Sequence, residues 1–294
     1  MRISTRMLSD TLINNLQANL QRLEQTQNEL SSGKRLRKPS DDPAAVGRAL
    51  IYRTDLATGN QYLSTIQSSL DWLNANETAL ASMTENLQRV RELAVQGGND
   101  TLDQNGMADI AAEVDQLLQH MVSLGNADLR GQRLFAGLKT DANPFTLNAG
   151  PPTTVTYNGD AGQMVREIDR GVTVTINIPG STFLPAAFTA LTNLRDHLRA
   201  ADSAAVRADI SSVDAALGGV LAARGNVGAL TNRVQAAQDR QEGLNAEIQK
   251  LLSNVEDTDF TDAITRAAAQ ENVYKAALGV GAKAIQSSLL DYLR

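Results

Sequence analysis

Apolar residues recur at alternating steps of three and four along most of the chain. Ile13, Leu16, Leu20, Leu23, Gln27 and Leu30 form the first such series, the a/d seam of a coiled coil. Gly33 marks its C-terminal stop. Pro39-Ser40-Asp41-Asp42-Pro43 restarts the chain, with Asp42 suited to cap a helix and Pro43 to occupy its first turn. A second series runs Leu56, Gly59, Leu63, Ile66, Leu70, Leu73, Glu77, Leu80, Thr84 and Leu87, uninterrupted until Gly97-Gly98-Asn99-Asp100. A helix of this extent is ~80 Å long at 1.5 Å per residue, the dimension of a rod. Ile110, Val114, Leu117, Met121 and Leu124 predict a third helix folding back on the second.

The longest series lies in the C-terminal half: Val206, Ile210, Val213, Leu217, Val220, Arg224, Val227, Thr231, Val234, Gln238, Gln241, Asn245, Ile248, Leu252 and Val255. A parallel row, Leu230, Ala237, Leu244 and Leu251, repeats every seven residues and widens the face to that of a multi-helix bundle. Glycines 218, 219, 225, 228 and 243 inside this helix imply either a bend or close approach of a neighbour. Asp257-Thr258-Asp259 supplies a cap, and a last helix carries Phe260, Ile264, Ala267, Tyr274, Leu278, Gly281, Ile285, Leu289 and Tyr292. Between Ala276 and Leu290 its only charge is Lys283. A helix apolar on every side needs cover on every side. One short N-terminal helix cannot supply it, so the two ends are expected to order fully when neighbouring subunits surround them. The simpler reading is a terminal helix docked into its own domain.

The centre changes period. Val172, Val174, Ile176 and Ile178 alternate with polar residues, as in a strand with one buried face. Met164 to Asp169, followed by Arg170-Gly171, predicts its hairpin partner, and Val155-Thr156-Tyr157 before Asn158-Gly159-Asp160 predicts a strand and a turn. All seven prolines lie at 39, 43, 144, 151, 152, 179 and 185. Two proline-free helical blocks thus flank a proline-bearing insertion. The expected fold class is mainly α: a discontinuous helical rod with terminal coiled-coil helices and a small inserted β domain. The expected division is a terminal helical polymerisation domain (1–42 and 256–294), a helical-bundle rod domain (43–137 and 187–255) and a β-rich outer domain (138–186).

Composition narrows the function. Aromatics make up 4% of 294 residues and cysteine is absent, so no disulfide, thiol nucleophile or thiolate metal site exists. The net charge of −6 lacks the basic footprint of a nucleic-acid binder. Lys34-Arg35-Leu36-Arg37-Lys38 reads as a solvated loop. No apolar stretch has the length of a transmembrane helix, and the N-terminus lacks an apolar signal core, so sequence rules alone give a cytoplasmic protein. His120 and His197 each lack a second ligand one turn away, and the acids at 256, 257, 259 and 262 lack the glycine and final glutamate of a calcium loop. Asn76-Glu77-Thr78 and Asn99-Asp100-Thr101 match a glycosylation sequon at near-chance frequency. No catalytic, cofactor-binding or metal-binding residues are assigned, and no enzyme activity is expected.

Several segments together carry a resemblance. They are Arg2-Ile3-Ser4-Thr5, Asn15-Leu16-Gln17, Leu30-Ser31-Ser32-Gly33-Lys34-Arg35-Leu36, Pro39 to Ala44, Arg89 to Gln96, Arg130 to Gly137, Val155 to Asp160, Arg224 to Arg233 and Ser287 to Leu293. Both arms resemble the flagellin family. The start at Met1-Arg2-Ile3-Ser4-Thr5, the end at Leu290-Asp291-Tyr292-Leu293 and the small insertion with Tyr157, Gly159 and Asp160 are similar to subunits that join hook to filament. The resemblance implies a secreted structural subunit of the bacterial flagellum, exported by the type III apparatus and active in motility. It implies a homo-oligomeric adaptor ring touching hook-associated protein 1 and flagellin, and an export chaperone bound to the C-terminal arm. The assembly seam is expected at Ile13, Leu16, Leu20, Leu23, Leu30, Phe260, Ile264, Tyr274, Leu278, Ile285, Leu289 and Tyr292. A filament subunit and a soluble coiled-coil signalling protein are the alternatives.

Overall fold

The structure, a computed structural model, describes the backbone of residues 5–100, 102–148, 150 and 153–292; the side chains of residues 5, 6, 8, 9 and 283–292 lie outside that description. Among the described residues there are six helices: α1 (Thr5–Ser32), α2 (Pro43–Gly97), α3 (Gln104–Gly125), α4 (Leu184–Arg199), α5 (Ser203–Glu256) and α6 (Phe260–Tyr292). Three two-stranded antiparallel hairpins lie between α3 and α4: β1 (Asp128–Leu129) with β2 (Gln132–Arg133), β3 (Phe145–Asn148) with β4 (Thr154–Tyr157), and β5 (Val165–Asp169) with β6 (Val172–Thr175). The mainly α class, the long helices of both arms and the strand-bearing insert agree with the sequence reading.

The helix starts are set by side-chain caps. Asp42 accepts hydrogen bonds from the Ala44 and Ala45 amides at 3.1 and 3.0 Å, and Pro43 opens α2 without losing a donor that the helix would use. Asp103, Asp202 and Asp259 do the same for α3, α5 and α6. Gly33, at φ +68°, ends α1 in the left-handed region that glycine enters at no cost.

By clustering of contacts the chain divides into two compact units, Met1–Ala57 with Asn245–Arg294, and Thr58–Leu244. Within the second, α2 contributes Ile66, Leu73, Leu80, Met83, Leu87 and Val90 to a buried core; α3 adds Val114, Leu118 and Met121. α5 adds Val206, Val213, Val220, Val227 and Val234, at the seven-residue spacing of the sequence series. Trp72, the single tryptophan, is 4% exposed in this core.

The insert shares that core. Phe145 packs on Phe188 and Tyr157 with ring centroids 5.0 and 5.1 Å apart, and Phe135 meets Phe183 edge-on at 6.0 Å. Gly137 has φ +74°, and a Cβ there would lie 2.3 Å from the carbonyl oxygen of Asp160. The Asp160 carboxylate accepts from the Leu138 and Gly162 amides, which holds its pKa below the ordinary carboxylate value. Asn76, the first sequon asparagine, is fully buried.

Three features depart from the sequence reading. α4 is a separate helix packed on α3, and the chain breaks at Ala201, a non-glycine residue with φ +52°. The strand at 154–157 has a partner, 145–148, that no turn signal had marked. The interior glycines of α5 serve no close approach: a Cβ at Gly218, Gly225, Gly228 or Gly243 would meet nothing within 4 Å.

Candidate assembly surfaces

In the terminal unit, α1 and α6 pack along each other. Leu16 and Leu30 are half-buried and Leu23 is buried, so one row of the predicted N-terminal seam faces α6. The other row does not: Ile13 is 48% exposed and Leu20 39%. A 3-4 series has two rows, and one neighbouring helix covers one of them.

On α6 the positions turned toward α1 are small or polar. They are Ala263, Ala267, Gln270, Tyr274, Ala277 and Gly281, at steps of four and three. A Cβ at Gly281 would lie 2.8 Å from Leu12 Cδ2, so glycine permits a tight approach here. Two polar links fix the register: Thr26 Oγ1 donates to Gln270 Oε1 at 2.9 Å, and Arg266 pairs with the nearly buried Glu29 at 3.3 Å. The larger apolar side chains point outward. Phe260, Ile264, Val273, Leu278 and Val280 are each between 46% and 64% exposed. Of the expected seam, Tyr274 is half-buried against α1, while Phe260, Ile264 and Leu278 stand on the outer surface. The side chains of Ile285, Leu289 and Tyr292 lie outside the described residues.

The turns that lead into and out of this helix pair are tied to each other. Lys34 and Asp257 form an isolated antiparallel bridge, Thr258 N–H donates to the Gly33 carbonyl at 3.0 Å, and Arg35 N–H donates to the Glu256 carbonyl at 2.7 Å. The Glu256 carboxylate, 3% exposed, takes Lys34 Nζ at 2.7 Å and the guanidinium of Arg53. A buried carboxylate with two cations and no other route to water is stable only while those partners remain. The hydrogen bond to Glu256 raises the Lys34 pKa above its ordinary value. Ser253, and after it Lys34, lowers that of Asp257. Lys34 is therefore a pairing residue rather than part of a solvated loop, and Glu256 and Asp257, rather than the cap at Asp259, are the acidic residues that join the two turns. The signal in the sequence was a lone pair of charges 222 positions apart, which no periodicity exposes.

Neither histidine gathers further ligands. His197 Nδ1 lies 2.6 Å from Asp209, and His120 Nδ1 lies 3.2 Å from the Asn86 amide. No group of three metal-ligating side chains exists among the described residues, and no helix there is long and apolar enough to cross a membrane.

Long helical arms, a strand-bearing insert between them, and N- and C-terminal helices paired with each other define a class of helical structural subunits. Residues 3–140 match the model of the bacterial flagellin N-terminal helical region, and residues 210–293 match that of the C-terminal helical region. The chain belongs to the bacterial flagellin family, a family of structural flagellar proteins. It is 30% identical over 185 residues to flagellar hook-associated protein 3 of Salmonella typhimurium, covering 62% of this chain and 56% of that protein. Against flagellar hook-associated protein 3 of Escherichia coli the identity is 29% over 153 residues, covering 52% and 47%. The chain thus spans about half the length of these curated relatives. Flagellin of Salmonella paratyphi A is 32% identical over 164 residues, which is 55% of this chain and 32% of that flagellin. The fold is also that of Bacillus cereus FlgL (TM-score 0.61, 22% identity, 69% of this chain and 99% of that one). It is shared by the flagellar junction protein FlgL of Legionella pneumophila (TM-score 0.60, 15% identity, 73% and 100%).

Proposed function

We propose that this chain is a structural subunit of the bacterial flagellum that joins hook to filament as an adaptor ring, built through its N- and C-terminal helices. The observation that carries this reading is the match of both helical arms to flagellin models, combined with a likeness to hook-associated protein 3 that spans 56% of the Salmonella protein, against 32% of a flagellin. The exposed apolar side chains of α1 and α6 supply the adhesive surface: each Å² of apolar area they lose to a neighbour is worth ~25 cal/mol. The partners of this reading are further copies of the chain, hook-associated protein 1, flagellin and an export chaperone, with no nucleic acid, no membrane and no enzymatic step. Its location is outside the cell, at the hook–filament junction.

We also retain the three-part division as a proposal, with 1–42 and 256–294 for assembly, 43–137 and 187–255 as the bundle, and 138–186 facing outward. Deletion of the gene is expected to leave cells with hooks, no attached filaments, and flagellin released to the medium. Normal filaments on the deletion strain overturn the reading. The 32% identity to flagellins favours one rival, a filament subunit. Purified protein that extends into long filaments by itself selects that rival.

A further inference from the structure

Within Thr58–Leu244, α2 and the strand-bearing insert enclose a cleft of about 330 Å³. One side of it is a polar stripe of α2, Gln61, Ser64, Ser68 and Asp71, at steps of three, four and three. Those steps keep to one face of a helix. Ser68 Oγ donates to the Ser64 carbonyl at 3.0 Å, and Thr65 Oγ1 to that of Gln61 at 3.1 Å. Both hydroxyls spend their hydrogens on the helix and keep lone pairs with which to accept. Met164 and Ile176 of the insert add apolar wall, and Trp72 lines the cleft from α2.

The turn at the cleft breaks a local rule. Leu129 pairs with Gln132, which leaves Arg130-Gly131 as a two-residue hairpin loop. Their φ values, +55° and +83°, are those of a type I′ turn, whose preferred pair is Asn-Gly. A long, branched-headed side chain is disfavoured in that left-handed region. The ion pair of Arg130 with Asp71, at 3.4 Å and with the arginine 78% exposed, offsets little of the strain. Backbone strain retained where a side chain lines a cleft points to a task for that side chain. Arg166 of β5 lines the same cleft, and its guanidinium has no ion-pair partner among the described residues.

We propose that this cleft binds a single sugar unit that carries a carboxylate. The guanidiniums of Arg130 and Arg166 present forked donors that match a carboxylate. The Thr65 and Ser68 hydroxyls and the Gln61 amide meet the sugar hydroxyls, and Met164 and Ile176 meet the carbon face of the ring. The volume lies near the lower end of ligand pockets, which suits one small ring rather than an extended chain. A neutral sugar leaves both cations unanswered. A bare inorganic anion leaves the hydroxyl stripe and the apolar wall unused. Nothing in this binding depends on how copies of the chain assemble.

Trp72 is the single tryptophan and lies at the cleft, so its emission can report occupancy. Full-length protein is titrated with galacturonate and glucuronate, with galactose as the neutral probe and sulfate as the bare anion. Emission and titration calorimetry are read together. At least one of the two acidic sugars is expected to give a saturable signal that galactose and sulfate do not. Arg166→Gln should weaken that binding about tenfold. Arg130→Asn should weaken it similarly and, by completing an Asn-Gly turn, raise the denaturant midpoint. The inference is overturned by silence of both probes with both acidic sugars, or by an equal response to galactose or sulfate. It is overturned too by undiminished binding in both variants, or by a lower midpoint for Arg130→Asn, which would mean that the arginine is kept for stability. The deletion phenotype is read independently, so failure of this site and failure of the junction reading are told apart.

Discussion

The two units of this chain are written in the same heptad pattern and end in opposite states. In Thr58–Leu244 the series residues of α2, α3 and α5 are buried or half-buried, and leucines, valines, methionines and phenylalanines fill the interior. In the terminal unit the buried apolar residues, among those described, are Leu23, Ala45, Ala49 and Ala263. Its large side chains, Ile13, Leu50, Ile51, Ile264 and Leu278 among them, are exposed. The lesson is that periodicity reports which residues share a face, and says nothing of what covers that face. One unit completes its core within the chain. The other closes its internal seam with Leu23, half-buried Leu16, Leu30 and Tyr274, and small residues of α6, and leaves Ile13, Leu20, Ile264 and Leu278 outward.

This contrast can be broken at several points. The largest effect is expected from Phe145→Ala, which removes a fully buried ring from contact with Phe188 and Tyr157. The loss should be ~3–5 kcal/mol in a denaturant melt. Gly137→Ala forces a Cβ into the left-handed region and against the Asp160 backbone, and should cost ~1–3 kcal/mol in the same measurement. Lys34→Met leaves the buried Glu256 with Arg53 alone. It should destabilise the terminal unit by ~1–2 kcal/mol, seen as faster hydrogen exchange in α1 and α6 with the amides of α3 and α4 unchanged.

The pH dependence of the same node has a definite sign. A raised Lys34 pKa contributes stability that is complete below 10.5 and fades as pH climbs through the folded value above it. A lowered Asp257 pKa contributes stability that is complete above 3.8 and fades as pH falls through the folded value below it. Protection factors in α1, with the intrinsic pH dependence of amide exchange divided out, should therefore stay level across neutral pH and fall at both extremes. The smallest effect on stability, within about 0.5 kcal/mol, is expected for the exposed Leu278→Ser. If that variant nevertheless incorporates into flagella like wild type, the outer face of α6 has no part in assembly.

Much of this was legible in the sequence because local chemistry decides it. Asp42 with Pro43 fixed the start of α2 and Gly33 the end of α1, while the alternation at 172–178 located the last hairpin but overran it, since the strand ends at Thr175, Val172 is exposed and Asn177 is buried. The break between α4 and α5 was hidden because Ala201 takes a positive φ without any glycine to announce it. The row Leu230, Ala237, Leu244, Leu251 repeats every seven residues, yet burial stops after Ala237, with Leu244 47% and Leu251 38% exposed. Where a core ends depends on which other segments arrive there, and spacing within one helix does not encode it. In the candidate surface, the expected residues divide between the internal seam and the outside for the same reason.

The single tryptophan gives this chain an unequal optical record of itself. Trp72 sits deep in the core of Thr58–Leu244, and the terminal unit contains no indole. Fluorescence emission then follows only one of the two units, while far-ultraviolet ellipticity sums both. If the ends loosen first on heating, the ellipticity curve will begin its descent while the emission maximum has not yet moved, and a melting temperature taken from fluorescence alone will describe a protein more robust than the whole molecule is.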